Sequence, residues 1–540
     1  MRANTEHGPE AHATQRCEKR ETSNERKRDR HGPAACASQL IHATRLLWSV
    51  RRVRSAARIA AGGLVFLAGC DSGTPAGRVA SQAAMRPAPR PHVIFISIDT
   101  LRADHLSCYG YDRATTPSLD ALAATGVRFA KAYAQASWTL PSHMSMMTSQ
   151  YPHVHGVEHN NESLPEDGTT IAETLREQGY DTAAFVSWIY VSARYGFAQG
   201  FEHFAELLPA ADLIDDATAA SFKAEEVTDR ASRWLTARRS ETPLFLFVHY
   251  FDPHIDYAPP EPFDRSFRDP PPDLNKGTYD WLSQYITGIP KEPKRIAPAD
   301  LDEVKALYDA EIRYTDHYVG ELLATIERTL GLDNCLIIVT SDHGEELDDH
   351  GSMEGHQWTL YEECVHVPLI VRPPGGIEGG RVVDELVELI DVAPTIVEGL
   401  ALAPPSAFQG RSLGPKLARD SSGADDEQRT VFGRIDRHAR KLYVRSGRYK
   451  LIQTEDGGSK KRGPRALAGI ELFDLMSDAD EQQNLYREGH PAAAPLLAAL
   501  EQLRRVQPTT TANPGVKLSE AELRRLKSIG YIGSDAPQEP

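Results

Sequence analysis

The stretch HVIFISIDT, from His92 to Thr100, decides the fold class of this 540-residue chain. A continuous run of apolar residues is typical of a strand that is buried on both faces of a parallel sheet. The run ends at Asp99, and open α/β sheets carry their functional groups at the carboxyl ends of such strands. A second apolar run, CLIIVTSDHGE from Cys335, ends in the same way at Asp342 and His343. The two runs together predict a parallel sheet with carboxylates along one edge.

Outward from these two strands, apolar runs alternate with amphipathic segments. Further strands are predicted at 182–187 and 243–250, and helices at 116–125, 170–179 and 299–330. This alternation predicts an α/β fold in which helices cover both faces of a mostly parallel sheet.

Beyond residue 404 the pattern changes to short strands at 441–445 and 449–453, separated by a turn that contains glycine. Such a pattern predicts a small antiparallel β subdomain. We therefore expect a catalytic domain at 92–404, followed at 405–540 by a C-terminal subdomain whose last residues, 531–540, form a tail.

The first 70 residues resemble a targeting segment more than a folded domain. Basic residues from Arg51 to Arg58 precede an apolar run from Ile59 to Gly69, which has the length of a secretory hydrophobic region and is too short to cross a bilayer. The run ends in LAGC, which resembles a bacterial lipobox that directs lipidation of Cys70. An uncleaved anchor and a chance apolar run are the alternatives. We expect a leader at 1–70, a linker at 71–91 and a lipid-anchored protein on the extracytoplasmic side of the bacterial envelope.

Charge narrows the classes of partner. The formal net charge is −16, and this acidity argues against nucleic acid as a partner. It does not argue against an anionic substrate, because a metal ion and nearby cationic side chains set the potential inside a site.

A hydroxyl at a helix start completes the candidate site. Thr139 lies in SWTLPSHM, where a hydroxyl, a proline and an apolar run indicate a helix N-terminus. The N–H groups at such a position attract anions, and a plain helix cap is the alternative. Together with Asp99, Asp342 and His343, Thr139 would complete a divalent-metal site of hard oxygen ligands and one nitrogen.

The chain resembles the sulfatase family of the alkaline phosphatase superfamily. The resemblance runs from residue 92 to about residue 490 and includes IDTLRAD, TLPSH, SDHGE, GHQWTLYEE, VPLIV, DVAPTI and ELFDL. It implies an alkaline-phosphatase-like α/β/α sandwich and an anionic ester as substrate. It also implies one divalent ion, Ca, Mn, Mg or Zn, held by Asp99, Thr139, Asp342 and His343.

Four positions depart from the family pattern. Thr139 stands where sulfatases carry the Cys or Ser that is oxidised to formylglycine, and His143 stands where they carry Arg. Thr100 replaces the usual second Asp after the first strand, and Gln357 replaces the usual Lys. A threonine cannot yield an aldehyde, so we do not expect the formylglycine mechanism. The Thr variant resembles phosphoglycerol transferases and other phosphoesterases of the superfamily, in which a metal-bound Thr or Ser is the nucleophile.

The resemblance also assigns roles outside the metal cluster. Thr139 is the expected nucleophile, and His254 or His356 the expected proton donor to the leaving alcohol. The predicted catalytic residues are Thr139, His254, His356 and His143, and the predicted substrate-binding residues are His143, His254, Asp252 and Gln357. A second metal ion that involves Asp252, His254 and His356 is a further expectation.

The sequence leaves three functions open. The first is a metal-dependent hydrolase that cleaves a sulfate or phosphate ester through Thr139. The second is a transferase that moves a phosphoalcohol group, of the phosphoglycerol or phosphoethanolamine type, onto an envelope glycan or lipid. The third is a catalytically silent lipoprotein that binds anionic ligands, and the presence of all four metal-type residues argues against it.

Overall fold

The structure is a computed structural model that describes residues 90–208, 223–286, 294–418, 429–455, 469–508 and 511–531, apart from 352, 354 and 438. The predicted leader, Cys70 and nearly all of the predicted linker lie outside the described residues.

Strands and helices are numbered in chain order. The strands are β1 (His92–Ile98), β2 (Val127–Tyr133), β3 (Glu162–Ser163), β4 (Asp181–Val186), β5 (His203–Glu206), β6 (Leu244–Tyr250), β7 (Cys335–Thr340), β8 (His366–Arg372), β9 (Arg381–Glu388), β10 (Thr430–Asp436), β11 (Arg440–Ser446), β12 (Tyr449–Thr454), β13 (Gly469–Asp474) and β14 (Asn513–Pro514). The helices are α1 (Pro117–Ala123), α2 (Thr139–Thr148), α3 (Pro152–His155), α4 (Ile171–Glu177), α5 (Ala224–Ala237), α6 (Tyr279–Leu282), α7 (Pro298–Thr329), α8 (Glu362–Val365), α9 (Val392–Gly399), α10 (Gly414–Leu417), α11 (Ala493–Arg504) and α12 (Glu520–Ser528).

An eight-stranded sheet in the order β5-β4-β6-β1-β7-β8-β2-β9 forms the centre of the fold. Its neighbouring strands are parallel, except where β8 pairs with β7 and with β2. The predicted mostly parallel sheet is confirmed. Because β1 lies between β6 and β7, the loops that follow these three strands meet at one edge of the sheet.

Two hydrophobic cores lie on opposite faces of this sheet. Val93 and Phe95 of β1 belong to one core, and Ile94 and Ile96 belong to the other, because successive side chains of a strand point to opposite faces. Helices α2, α4 and α9 contribute to the first core, and α1, α5 and α7 contribute to the second. The chain therefore forms the predicted α/β/α sandwich.

The predicted helices are present, with one difference in how they begin. The helix at 170–179 is α4, and Thr170 with Glu173 forms a reciprocal capping box at its start. The helix predicted from Thr116 is α1, but the Thr116 hydroxyl donates to Asp120 Oδ1 at 3.1 Å and accepts no backbone N–H of the helix.

The C-terminal part forms a second, antiparallel sheet in the order β10-β11-β12-β13. Leu442 and Leu451 of this sheet pack against Leu496 and Leu500 of α11. The predicted small antiparallel subdomain is thereby confirmed. Among the described residues, no helix has the length and apolarity that a membrane span requires.

Candidate active site

Two buried carboxylates and an imidazole form the centre of the candidate site. Asp99 follows β1, and Asp342 and His343 follow β7, so the parallel pairing of these strands brings all three to the same edge. His343 Nε2 lies 3.2 Å from Asp342 Oδ2 and 3.7 Å from Asp99 Oδ1. One ligand atom from each residue lies within 4.8 Å of the others. The structure thus assembles the predicted metal-type cluster.

The electrostatics of the cluster suit a bound cation. Asp99 Oδ1 and Asp342 Oδ1 are buried and accept no hydrogen bond. Burial, followed by repulsion from Asp342, raises the pKa of Asp99 well above its usual range. Burial lowers the pKa of His343 to about 4, which leaves the neutral imidazole that binds metals. Buried carboxylates with free lone pairs beside a neutral imidazole fit a divalent ion.

The Thr139 hydroxyl faces this cluster. Trp138 is the N-cap of α2 and makes no side-chain cap, and Thr139 is the first residue of the helix. Thr139 Oγ1 lies 3.4 Å from Asp99 Oδ2 and 3.4 Å from His343 Nε2. The alternative of a plain helix cap therefore does not describe this hydroxyl, which lies among the metal-type ligands instead.

His143 lies one helical turn later and is fully buried. Its Nδ1 lies 3.0 Å from the Thr139 carbonyl oxygen and 3.2 Å from Asp342 Oδ2. Its Nε2 lies 2.9 Å from Ser97 Oγ. Both ring nitrogens are therefore engaged by the protein. This differs from the predicted contact with ester oxygens, and the geometry supports a role in positioning Asp342 and α2.

His254 and His356 lie next to the metal-type cluster. Their ring centroids are 4.9 Å apart, and the ring of His356 lies 4.5 Å from that of His343. His254 Nδ1 contacts the Ile255 carbonyl oxygen at 2.7 Å, and His356 Nδ1 contacts Glu345 Oε1 at 3.1 Å. A carbonyl oxygen can only accept, so neutral His254 donates from Nδ1 and its Nε2 is an acceptor. His356 has the same arrangement when Glu345 is ionised and accepts from its Nδ1.

Burial lowers the pKa of His254 to about 3 and that of His356 to about 3. Gln357 joins this pair, because its Nε2 lies 3.3 Å from His356 Nε2 and its backbone N–H donates to the Ser137 carbonyl at 3.0 Å. Three of the predicted polar residues, His254, His356 and Gln357, thus lie beside the Thr139 hydroxyl and the metal-type cluster.

Asp252 is separated from this group. Its carboxylate accepts from Lys223 Nζ at 2.9 Å and from the Ala224 N–H at 2.7 Å, at the start of α5. Both oxygens therefore hold the fold together, which corrects the prediction that Asp252 binds substrate. Among the described residues, the groups suited to a metal do not combine Asp252 with His254 and His356, so the second-metal prediction has no support.

Two residues of the site were missing from the sequence prediction. His249 is the penultimate residue of β6 and pairs with Ser97, and its Nε2 lies 3.5 Å from Asp99 Oδ2. Burial and the neighbouring His143 lower its pKa well below its usual value. The sequence does contain a signal for His249, because it lies near the carboxyl end of a buried strand, the same kind of position that predicts Asp99 as a site residue.

Tyr531 is the second missing residue, and it corrects the prediction that a tail begins there. Tyr531 is 2% exposed, and its Oη lies 3.1 Å from Thr139 Oγ1 and 3.0 Å from His356 Nε2. The signal in the sequence was the segment SEAELRRLKSIGY, which begins with a capping box at Ser519 and ends with a glycine stop at Gly530. These features mark a helix with an aromatic residue directly after it.

The fold and the site together define a class of enzyme. In this class an α/β/α sandwich places a hydroxyl beside a cluster of residues suited to a divalent metal ion. The model of the sulfatase family matches residues 91–400, and a model described as N-sulphoglucosamine sulphohydrolase, C-terminal, matches residues 350–507. Because the first match spans more than half of the chain, the chain belongs to the sulfatase family and is an enzyme of the sulfuric ester hydrolase class.

Known proteins agree with this assignment. The chain is 25% identical over 476 residues to an N-acetylglucosamine-6-O-sulfatase of Bacteroides thetaiotaomicron, covering 74% of this chain and 83% of the relative. It is 26% identical over 440 residues to arylsulfatase K of Rattus norvegicus, covering 75% of this chain and 76% of the relative.

Solved structures share the fold. One, determined in complex with its substrate D-glucosamine-2-N,6-O-disulfate, superposes with a TM-score of 0.64 at 23% identity, covering 77% of this chain and 98% of that chain. The phosphonate monoester hydrolase of Agrobacterium radiobacter superposes with a TM-score of 0.60 at 21% identity, covering 77% of this chain and 95% of that chain.

Proposed function

We propose that the chain is a metal-dependent hydrolase of a sulfate ester in which Thr139 replaces formylglycine as the nucleophile. The observation that carries the proposal is the position of Thr139 Oγ1, 3.4 Å from both Asp99 Oδ2 and His343 Nε2. The names of the relatives as sulfatases of N-acetylglucosamine and of a hexuronate support a sulfated sugar as the substrate class. A divalent ion held by Asp99, Asp342 and His343 would supply positive charge that lowers the pKa of a neighbouring hydroxyl and balances charge on the ester oxygens.

The residues of the chain would perform two displacements. In the first, Thr139 Oγ1 forms a bond to sulfur, the bond from sulfur to the ester oxygen breaks, and the sugar leaves as an alcohol. The proton lost by Thr139 must reach that alcohol, and His254 and His356 are the bases and acids at hand. In the second, water attacks the sulfated Thr139 and releases sulfate and the free hydroxyl.

Thr139 has a chemical consequence for substrate choice. Formylglycine releases sulfate by collapse of a hemiacetal, whereas Thr139 requires a second displacement at sulfur. Phosphate esters are therefore the alternative substrates, and a phosphoalcohol transferase is the alternative reaction. In a transferase an acceptor alcohol would take the place of water in the second step.

The test is an assay of the purified protein with added Mn, Ca, Mg or Zn on aryl sulfate, aryl phosphate and phosphodiester substrates. We expect turnover of the sulfate that requires a metal and falls at least about 1000-fold in Thr139→Ala, as for loss of a nucleophile. Thr139→Ser should retain activity, and Thr236→Ala, an exposed threonine of α5, should change nothing. Turnover that survives Thr139→Ala would falsify the assignment of the nucleophile, and turnover confined to phosphate esters would identify a phosphoesterase.

We further propose that a lipid on Cys70 anchors the enzyme to the envelope. The proposal is supported by the basic stretch, the apolar run and the LAGC sequence. Cys70→Ser should move the protein from the membrane fraction to the soluble fraction of fractionated cells. Unchanged membrane association in that variant would contradict the lipid anchor.

A further inference from the structure

The Tyr531 hydroxyl lies at the point on which the groups assigned to the ester converge. Its Oη is 3.1 Å from Thr139 Oγ1, 3.1 Å from His254 Nε2 and 3.0 Å from His356 Nε2. These are the nucleophile and the two proton-transfer groups of the proposed function, on which this inference rests. A reacting atom has to lie about 3–3.5 Å from its nucleophile before bond formation. Tyr531 Oη already lies at that distance from Thr139, so the ester and this hydroxyl cannot occupy the site together.

The same side chain closes the site. Thr139 is 0% exposed, His254 2% and His356 5%, and the sulfur of an ester has to reach Thr139. The Tyr531 ring stacks on His254 with centroids 5.5 Å apart and lies 5.6 Å from the ring of Trp188 and 5.1 Å from that of Tyr190. With Tyr531 in this place, a sugar ester cannot reach the nucleophile.

The chain delivers Tyr531 into the site through a defined turn. The Gly530 N–H donates to the Lys527 carbonyl at 3.3 Å and the Tyr531 N–H donates to the Leu526 carbonyl at 2.8 Å, which is the Schellman arrangement at the end of α12. Gly530 has a φ of +83°, and a Cβ at this position would lie 2.4 Å from the ring of Tyr279. Glycine is therefore required where the chain turns back from the helix into the site.

The segment Ser519–Tyr531, termed the C-terminal segment, is attached in a way that permits release. No strand of either large sheet belongs to it. At its start, Arg194 Nη1 pairs with Glu522 Oε2 at 2.8 Å, with side chains 37% and 19% exposed. Exposed ion pairs of this kind contribute little free energy, because water replaces them readily. Its other anchors include Leu526 and Ile529, which are buried in the first hydrophobic core, and the buried Arg525, whose guanidinium lies 5.3 Å from the centroid of the Trp188 ring. Arg437 Nη2 also donates to the Tyr531 carbonyl oxygen at 2.7 Å.

We propose that the C-terminal segment is an intramolecular plug in which the Tyr531 hydroxyl stands in for an oxygen of the ester. The substrate binds after the segment has moved away, and the plug and the substrate compete for Thr139, His254 and His356. The apparent affinity for an anion is then the intrinsic affinity multiplied by the fraction of molecules that are open. Tyr531 thus sets the substrate affinity of the enzyme and takes no part in its chemical steps.

The test measures binding of inorganic sulfate to the full-length protein supplied with Mn, by calorimetry. Tyr531→Ala should bind sulfate about 10-fold more tightly than the native protein, because the closed form is lost. Tyr531→Phe should show a smaller gain, since the ring remains while the three hydroxyl contacts disappear. Arg524→Ala is the matched control, because Arg524 is an exposed residue on the same helix, and it should bind as the native protein does.

A second variant acts far from the nucleophile. Glu522→Ala removes the ion pair to Arg194 and the capping box of α12, so it should also increase sulfate affinity. Sulfate affinity that is unchanged or weaker in a folded Tyr531→Ala protein overturns the plug, as does unchanged affinity in Glu522→Ala if Tyr531→Ala does not fold. The measurement needs no turnover and can be repeated in a Thr139→Ala background. The plug can therefore fail while the nucleophile assignment stands, and the reverse also holds.

Discussion

Single residues decide which chemistry the sulfatase fold can perform in this chain. Thr139 keeps an oxygen at the position of the oxidised residue but cannot form a hemiacetal, so the proposed reaction needs a displacement in each step. Asp99 and Asp342 could be predicted from the sequence, because each follows a buried apolar run and parallel strands end at a common edge. Tyr531 could not be placed, because its position depends on contacts with residues nearly 400 positions earlier in the chain, the separation to Thr139 being 392.

At the same scale, His155 is predicted to make stability depend on pH. Burial lowers its pKa to about 3 from the ordinary value of 6.5, and its Nδ1 accepts the Val157 N–H at 3.1 Å. Below pH 6.5 His155 therefore becomes protonated in the unfolded chain but stays neutral in the folded state. The free energy of unfolding consequently falls as the pH drops from 6.5 toward 3. The expected contribution is about 1.4 kcal/mol per pH unit in that window.

Urea unfolding between pH 6.5 and 4 measures this effect. His155→Gln should reduce the slope of unfolding free energy against pH by about 1.4 kcal/mol per pH unit. His317→Gln is the control, because His317 lies on the exposed face of α7, and it should leave the slope as it is. An identical slope in His155→Gln and the native protein would show that His155 is protonated in the folded state.

The strands and helices differ in how well the sequence predicts them. The buried strands β1, β6 and β7 could be predicted because each is a nearly continuous apolar run, and the long helix α7 because its apolar residues recur with helical spacing. Helix α12 was missed because its apolar face is narrow, with Leu526 and Ile529 among charged residues. The role of Asp252 was also missed, because proximity to a sheet edge does not reveal which helix N-terminus will use its carboxylate.

Asp252, in the loop after β6, is predicted to hold this loop against helices α5 and α7. Asp252 accepts from Lys223 Nζ and the Ala224 N–H, and Lys223 Nζ also lies 3.1 Å from Glu311 Oε1. Asp252→Ala should lower the free energy of unfolding by about 1–2 kcal/mol, because it leaves the partly exposed Lys223 ammonium with one partner fewer and removes the acceptor of the Ala224 N–H. Metal affinity should remain within about 2-fold of the native value, since the residue lies outside the metal cluster.

Chemical denaturation and metal titration of the same protein separate these outcomes. Arg230→Ala, on the exposed face of α5, provides a control that should change stability by less than about 1 kcal/mol. A large loss of metal affinity in Asp252→Ala, with little loss of stability, would restore the second-metal interpretation.

At the scale of the whole molecule, the two sheets are joined by a buried ion pair. Arg429, just before β10, donates to Asp391 Oδ1 at 2.7 Å, and its Nη2 lies 3.4 Å from Glu388 Oε2 at the end of β9. The Arg429 side chain is 4% exposed and that of Asp391 0%. Burial raises the pKa of Glu388 to about 7, and Arg429 opposes that rise. The Arg429 guanidinium thus compensates the negative charge of the buried carboxyl groups of Asp391 and Glu388.

Arg429→Met is therefore predicted to destabilise the enzyme by about 3–5 kcal/mol, because Asp391 remains as an uncompensated buried charge. The double variant Arg429→Met with Asp391→Asn should lose less than the sum of the two single variants, since it removes both charges. Lys131→Ala breaks an exposed pair with Asp384 on the neighbouring strands, with side chains 34% and 76% exposed, and serves as the control. Thermal unfolding should show one cooperative transition in the native protein. If Arg429→Met instead unfolds in two separate steps at unchanged total stability, the pair couples the sheets without stabilising either, and the predicted loss is wrong.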